Sequence, residues 1–418
     1  MSAYFLPADI LLPDFSKVQG KTWSVVACDQ YTSQPEYWQA VEAEVGNAPS
    51  TLRMILPEVY LRETDARVPA IHDTMQDYLR EVLVRHPNSM LYLERTQSNG
   101  LVRRGLIGTV DLENYDYRPG SASLIRATEG TVLDRIPPRL AVRRGAPIEL
   151  PHVMLLIDDP QKTVIEPIAA RAKALRQAYS YPLMQKGGAV SAWFVDSVGL
   201  GRITNALDRL ASPESTKARY GEGVAPLLFA VGDGNHSLAT AKAAYEEIKA
   251  AYGDSALYHP ARYALVEVVN LHDPALHFEP IYRVMFGVDP NQVLTELQEY
   301  SFNLNGTVAP QQVRFLSATR RGTMHFEKPC EQLVVGTLQT FIDGYLARHP
   351  EASVDYIHGT RTTEQLATQE GTVGFLFAGM EKNQLFPAVM HDGALPRKTF
   401  SMGAAADKRY YTECRRIK

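Results

Sequence analysis

The sequence predicts an α/β fold: a mixed sheet with flanking helices and a smaller α/β part after about residue 290. Three observations carry this expectation. The apolar run Leu227 to Val231 breaks at Gly232-Asp233-Gly234-Asn235-His236-Ser237, and a helical segment reaching Tyr252 follows at once, which reads as a strand, a Gly-rich turn and a helix. Two strand-like runs, 90 to 95 and 101 to 112, flank Asn99-Gly100, a dipeptide that accepts positive φ at low cost and so signals a hairpin. Elsewhere, short apolar runs alternate with amphipathic stretches, the rhythm of a layered α/β design rather than an all-helical or sandwich one.

Length and composition set the bounds. With 418 residues the chain suits two to three domains, or one core with large elaborations, and 45% apolar content buries a sizeable interior. A formal net charge of -4, from 43 basic and 47 acidic residues, gives no basic field for nucleic acid or an anionic membrane, so small-molecule partners are expected. Cys28, Cys330 and Cys414 stand far apart in no metal-ligand spacing, which fits packing residues in a reducing compartment. No basic region precedes an apolar run at the N-terminus, and no uncharged apolar stretch reaches about 18 residues, so a cytoplasmic protein is expected.

In chain order, Trp23 to Tyr31 reads as a short strand that delivers Asp29 to a sheet edge, although Asp29 equally suits a turn or the cap of a helix from Pro35 to Val45. Residues 69 to 86 carry a helical stripe of Ile71, Met75, Tyr78, Leu79, Val82 and Leu83. After the hairpin, Leu124 to Arg135 shows no clean period of either kind. Glu129, Thr131 and Arg135 there supply a carboxylate, a hydroxyl and a guanidinium, the set phosphoryl transfer needs, and also suit a solvated loop. Val153 to Asp158 is a buried-strand candidate running into Asp158-Asp159-Pro160, a loop opening. A helix after Ile168 is expected to end near Tyr181-Pro182, with a strand at 192 to 195 and an amphipathic helix at 199 to 211.

Tyr263 to Val269 and Pro280 to Val284 read as strands, and Arg283 on the second can reach a phosphate or pair with a carboxylate. Asp289-Pro290 is the expected boundary between a main domain, 1 to 289, and a C-terminal part, 290 to 418. That part reads as a helix at 291 to 300, strands near 313 to 316 and 323 to 327, and a helix at 331 to 347. A further strand pair, or a helix between strands, follows over 373 to 389. Its loop Leu395 to Gly403, with Lys398 and Thr399, is expected to return cations toward the site and close over phosphates.

The turn at 232 to 237 has its own chemistry. A helix start presents N–H groups and the positive end of the macrodipole, and Gly232 and Gly234 let backbone approach a ligand, so a phosphate fits. Asn235 or Ser237 can cap the helix, His236 can donate to a phosphate or move a proton, and Asp233 can hold a metal-bound water or act as a base. An ordinary capped turn has the same composition.

These loops together resemble the domain-of-unknown-function family ten-fifteen, whose central segment reads Asp-Gly-His-His-Arg after a strand and whose fold is similar to the ParB/sulfiredoxin-like fold of free-serine kinases. Asp233, Gly234 and His236 stand at the Asp, Gly and second His of that motif. Glu129 and Thr131 stand in a His-Glu-x-Thr element followed by Asp134-Arg135, Asp29 matches an early Asp, Arg283 an Arg after Pro, and Pro396, Lys398 and Thr399 a late Pro-x-Lys-Ser/Thr loop. The departures are Asn235 for the first His, Ser237 for the Arg and Thr128 for the His before Glu. A phosphate site without that Arg loses a bidentate partner, so nucleotide binding is weakened, moved to Arg126, Arg135 or Lys398, or lost.

The resemblance implies a nucleotide-dependent phosphotransferase, using ATP or ADP with Mg²⁺ on a small hydroxyl-bearing metabolite such as a free amino acid. Glu129, Asp233 and His236 would be its catalytic residues. The alternative it implies is a non-catalytic nucleotide-binding or regulatory module of ParB-like fold.

Overall fold

The computed structural model describes residues 4–118, 120–130 and 136–418. The chain divides into two units. The first is drawn from Met1–Ala127, Thr131–Leu276 and Gly403–Lys418, the second from Thr128–Gly130 and His277–Met402.

The first unit is built on the expected hairpin. Leu91–Thr96 and Val102–Asp111 pair antiparallel with Thr96 opposite Val102. Gly100 takes φ of 83° and the Asn99 side chain accepts from Leu101 N at 3.0 Å, so the turn chemistry fixes the register. Among the described residues nine strands form one sheet. Its order is Tyr115–Asp116, Ile125–Ala127, Phe229–Asp233, Met154–Ile157, Tyr263–Asn270, the two hairpin strands in reverse, Ala189–Phe194 and Gln177–Pro182. Three neighbouring pairs are parallel and the rest antiparallel, so the sheet is mixed, as expected. Its central strands are buried on both faces: Leu155, Leu156, Val266, Val268 and Val269 are fully buried, as a sheet covered on two sides requires. One face packs against the helices Ser197–Leu210 and Asn235–Tyr252 through Ile203, Leu207, Leu238 and Tyr245. A second sheet runs Leu83–Ser89, Ala8–Pro13, Cys414–Arg416, Ile148–Glu149.

The second unit has an antiparallel sheet in the order Arg321–Phe326, Gln311–Leu316, Thr372–Leu376, Phe278–Phe286, Ser353–His358, with Phe400–Met402 pairing the start of Phe278–Phe286. Its helices include Pro290–Asn303, capped by the Asp289 side chain on Asn291 N at 2.9 Å, and Val334–Arg348.

Three expectations about elements are corrected. The stripe at 69 to 86 splits into the helix Thr64–Glu81 and the strand Leu83–Ser89, because Leu83 to Ser89 find a ladder with Ala8–Pro13. Residues 24 to 31 form no strand: their backbone bonds go to the tail, with Tyr411 N donating to Val25 O and Ala27 N to Lys408 O. The helix expected up to Pro182 is only Glu166–Ala169, and Gln177–Pro182 is a strand whose Tyr-Ser-Tyr alternation pairs Ala189–Phe194. Of the two alternatives over 373 to 389, the helix between strands is what forms: Leu385–His391 lies between Thr372–Leu376 and Phe400–Met402.

Candidate functional site

The strand Phe229–Asp233 lies between Ile125–Ala127, parallel to it, and Met154–Ile157, antiparallel to it. The ladder with Met154–Ile157 shifts register between Val231 and Asp233, so Gly232 is the extra residue of a bulge, a device that re-aims the next side chain. Gly234 follows at φ 81°, and the helix begins at Asn235. A Cβ at Gly234 would lie 2.0 Å from the His152 carbonyl oxygen, so only glycine lets the turn pass this close to its neighbour. Asn235, His236 and Ser237 are half-buried in the first helical turn, and the His236 carbonyl accepts from Thr240 Oγ1 at 2.7 Å.

Around this start the fold gathers charged and polar groups that the motif does not contain. Asp233 Oδ1 accepts from Gly234 N at 3.0 Å, and its Oδ2 lies 3.4 Å from Lys408 Nζ. The Lys408 carbonyl also receives Ala27 N, which ties the segment ahead of Asp29 to the same tail. Asp29 Oδ2 lies 3.4 Å from His152 Nε2, and His152 Nδ1 is 2.5 Å from the Tyr411 hydroxyl, which accepts from Cys28 N at 3.3 Å. Burial works against the Asp29 charge, yet the His152 imidazole and the Gln30 amide overcome it and hold the carboxyl below its ordinary range. The same burial, with Asp29 adding to it, pushes the Cys28 thiol up to about 12, which leaves it an inert thiol. Arg409 has φ 35°, and next to it Lys408 lies within reach of Asp233 while the Arg409 guanidinium is buried 3.9 Å from Glu267.

Arg126 pairs with Ala230 in the adjoining strand, but its guanidinium donates to the carbonyls of Ser123, Ala225 and Pro226 at 2.9 to 3.0 Å and is 5% exposed. It braces the entry to the strand Phe229–Asp233.

Glu129, Arg283, Lys398 and Thr399 belong to the second unit. Glu129 bridges Leu395 in parallel, and its Oε1 accepts from Lys398 N at 3.2 Å. Arg283, fully buried, donates to Ile281 O, Lys398 O, Arg397 O and Gln339 Oε1 at 2.6 to 3.3 Å and stacks over Tyr356. Burial brings its guanidinium down to about 10, with Tyr356 and Glu129 acting the other way. Lys398 stands at φ 54° with Nζ 5.7 Å from the Tyr356 ring, and Thr399 Oγ1 donates to Pro396 O at 2.6 Å. Glu129, Arg283 and the 396–399 loop therefore form one connected cluster. Thr131 and Arg135, expected beside Glu129, lie outside the described residues.

No group of three or more His, Cys, Asp or Glu side chains able to hold a metal ion exists among the described residues. The carboxylates that the first unit sets near the helix start, Asp29 and Asp233, suit a hard cation that arrives with phosphates and keeps its own waters, rather than an ion caged by protein alone. Among the described residues no helix is long and apolar enough to cross a membrane.

No curated protein matches the chain. Among solved structures it is similar to a free serine kinase variant in complex with AMP, at 11% identity and a TM-score of 0.38, over 73% of this chain and 90% of that one. A free serine kinase variant in complex with ADP aligns at 9% identity and a TM-score of 0.38, over 73% and 91%. A conserved hypothetical protein from Pyrococcus furiosus aligns at 11% identity and a TM-score of 0.33, over 71% and 89%. The family model described as a protein of unknown function (DUF1015) matches residues 13–379, and the chain belongs to that family.

Proposed function

We propose that the protein is a nucleotide-dependent phosphotransferase acting on a small hydroxyl-bearing metabolite, such as a free amino acid, with the nucleotide phosphates at the helix start after Gly234. The observation that supports it is the turn itself: a bulged strand end, a glycine in the left-handed region and a helix start, with the Asp233–Lys408 pair beside it. Phosphoryl transfer asks for positioning and charge neutralisation more than covalent chemistry. The helix start supplies oriented N–H groups, and Lys408 supplies the cation missing at Ser237, where the family motif has Arg. His236, in the first helical turn, donates to phosphate oxygen. Mg²⁺ bound with ATP or ADP would neutralise phosphate charge, with Asp233 and Asp29 as the carboxylates to receive it. For the base that takes the hydroxyl proton, the first unit offers Asp233 and the second offers Glu129.

A second reading is a non-catalytic nucleotide-binding or regulatory module, which the departures at Asn235, Ser237 and Thr128 favour. Thermal shift with ATP and ADP, with and without Mg²⁺, followed by a phosphate-transfer screen over hydroxyl-bearing metabolites, separates the two. Turnover supports the kinase, binding without turnover supports the module, and no binding rejects both. His236→Ala should weaken nucleotide binding about tenfold and leave stability within about 0.5 kcal/mol. A destabilised variant with intact binding ends the phosphate reading. Loss of turnover with retained binding in Asp233→Asn or in Glu129→Gln assigns the base.

A further inference from the structure

Behind the helix start the first unit holds a partly open cavity of about 150 Å³. Its walls are mostly apolar, with Met54, Leu61, Met75, Val142, Ile148 and Ala241 among them. Protein interiors rarely leave voids larger than a water molecule, and an apolar cavity of roughly this size in an engineered core takes up benzene. The space is therefore ring-sized.

What lies at its polar end sets the ligand. Ser237, from the turn motif, lines the cavity together with Thr240 one helical turn on and His152, whose carbonyl abuts Gly234. The cavity is thus continuous with the residues of the helix start. The charged groups of the wall already have partners, Arg139 on Glu58 and Arg143 on Glu149, so the cavity presents no unbalanced charge. The Thr240 hydroxyl proton goes to the His236 carbonyl at 2.7 Å, so toward a ligand at this wall that oxygen acts as an acceptor. A group that fills this cavity is flat, uncharged and carries an N–H donor.

We propose that the cavity is a subsite for the amino-bearing ring of an anionic ligand, an adenine-type base whose phosphate sits at the helix start; this rests on the nucleotide reading above. Ring and phosphate then engage opposite ends of one short segment, Ser237 to Ala241 on the ring side and Gly234 to Ser237 on the phosphate side.

Calorimetry with AMP and with ribose 5-phosphate tests it on the full chain. On the wild type, AMP should bind at least about tenfold more tightly than ribose 5-phosphate, because only AMP brings a ring to bury. Ala241→Leu and Ala146→Leu place a side chain into the cavity from two different elements. Each should remove about tenfold or more of the AMP affinity and leave ribose 5-phosphate unchanged. Equal binding of the two ligands by the wild type overturns the subsite, as does full AMP affinity in either folded variant, while the nucleotide reading survives both results. If neither phosphate binds, the nucleotide reading fails, and adenine alone becomes the probe. A melting shift with adenine in the wild type that is absent from Ala241→Leu retains the cavity as a ring site, and no shift ends it.

Discussion

At the scale of single residues, the site depends on one position that no side chain can occupy. Gly234 has φ 81°, and a Cβ there would meet the His152 carbonyl oxygen at 2.0 Å. Two separate costs add at this position, the left-handed conformation and the displacement of a backbone group in a neighbouring segment. Gly234→Ala should destabilise the protein by at least about 2 kcal/mol, read as a lower urea midpoint. A variant as stable as the wild type would mean that the turn is not held against His152. The consequence for function is direct, since His152 carries the hydrogen bonds that place Asp29 and Tyr411. The glycines on either side of Asp233 were legible in the sequence because turn chemistry is local. His152, Lys408 and Tyr411 were not. His152 and Tyr411 are 259 residues apart, and neither stands in a motif or a spacing that would announce it.

At the scale of elements, what sequence pattern could read was decided by whether neighbours along the chain or neighbours in space fix the backbone. The hairpin at Asn99-Gly100, the strand Phe229–Asp233 with the helix Asn235–Tyr252, and the helix Pro290–Asn303 capped by Asp289 all carry local signals. Gln177–Pro182 reads as a helix end in sequence because the loop to its partner Ala189–Phe194 runs over Leu183 to Gly188, longer than a two-residue hairpin, and its Gly187-Gly188 equally suits the stop of a helix. Arg283 shows a further gap. Sequence offered it as a phosphate ligand or a salt-bridge partner, whereas in the fold its donors meet the carbonyls of Ile281, Arg397 and Lys398. It holds the cationic loop in shape, with the loop backbone as its acceptor. Arg283→Met should leave those carbonyls and Gln339 without a donor, costing about 2 to 4 kcal/mol, and should raise amide exchange at Lys398. Unchanged exchange there would remove the positioning role.

At the scale of the whole molecule, the chain closes its first unit with residues far from the rest of it in sequence. Gly403–Lys418 returns to the first unit, adds the strand Cys414–Arg416 to the second sheet, and places Lys408, Arg409 and Tyr411. Arg409 joins Arg95 and Arg103 around Glu267, all four under 4% exposed, with N–O separations of 3.5 to 3.9 Å. One carboxylate is thus shared by three guanidiniums drawn from the hairpin and the tail. Burial opposes the Glu267 charge, and Arg103, Arg95 and Arg409 outweigh it, bringing the carboxyl down to about 2 from an ordinary value of 4.5. A carboxyl lowered in this way contributes its full stability above pH 4.5 and loses it as pH falls toward 2. Glu267→Gln removes the carboxylate that these three arginines share. The expected cost at pH 7 is about 3 to 5 kcal/mol, because three buried cations are left facing one another. The variant should also lose part of the wild-type fall in stability between pH 4.5 and 2, since the group that titrates there is gone. Urea midpoints measured at pH 7 and at pH 3 for both proteins decide the matter. Equal stability at pH 7, or an acid slope that the substitution leaves intact, would show that the first unit closes on its apolar core alone and that Glu267 does not hold the tail in place.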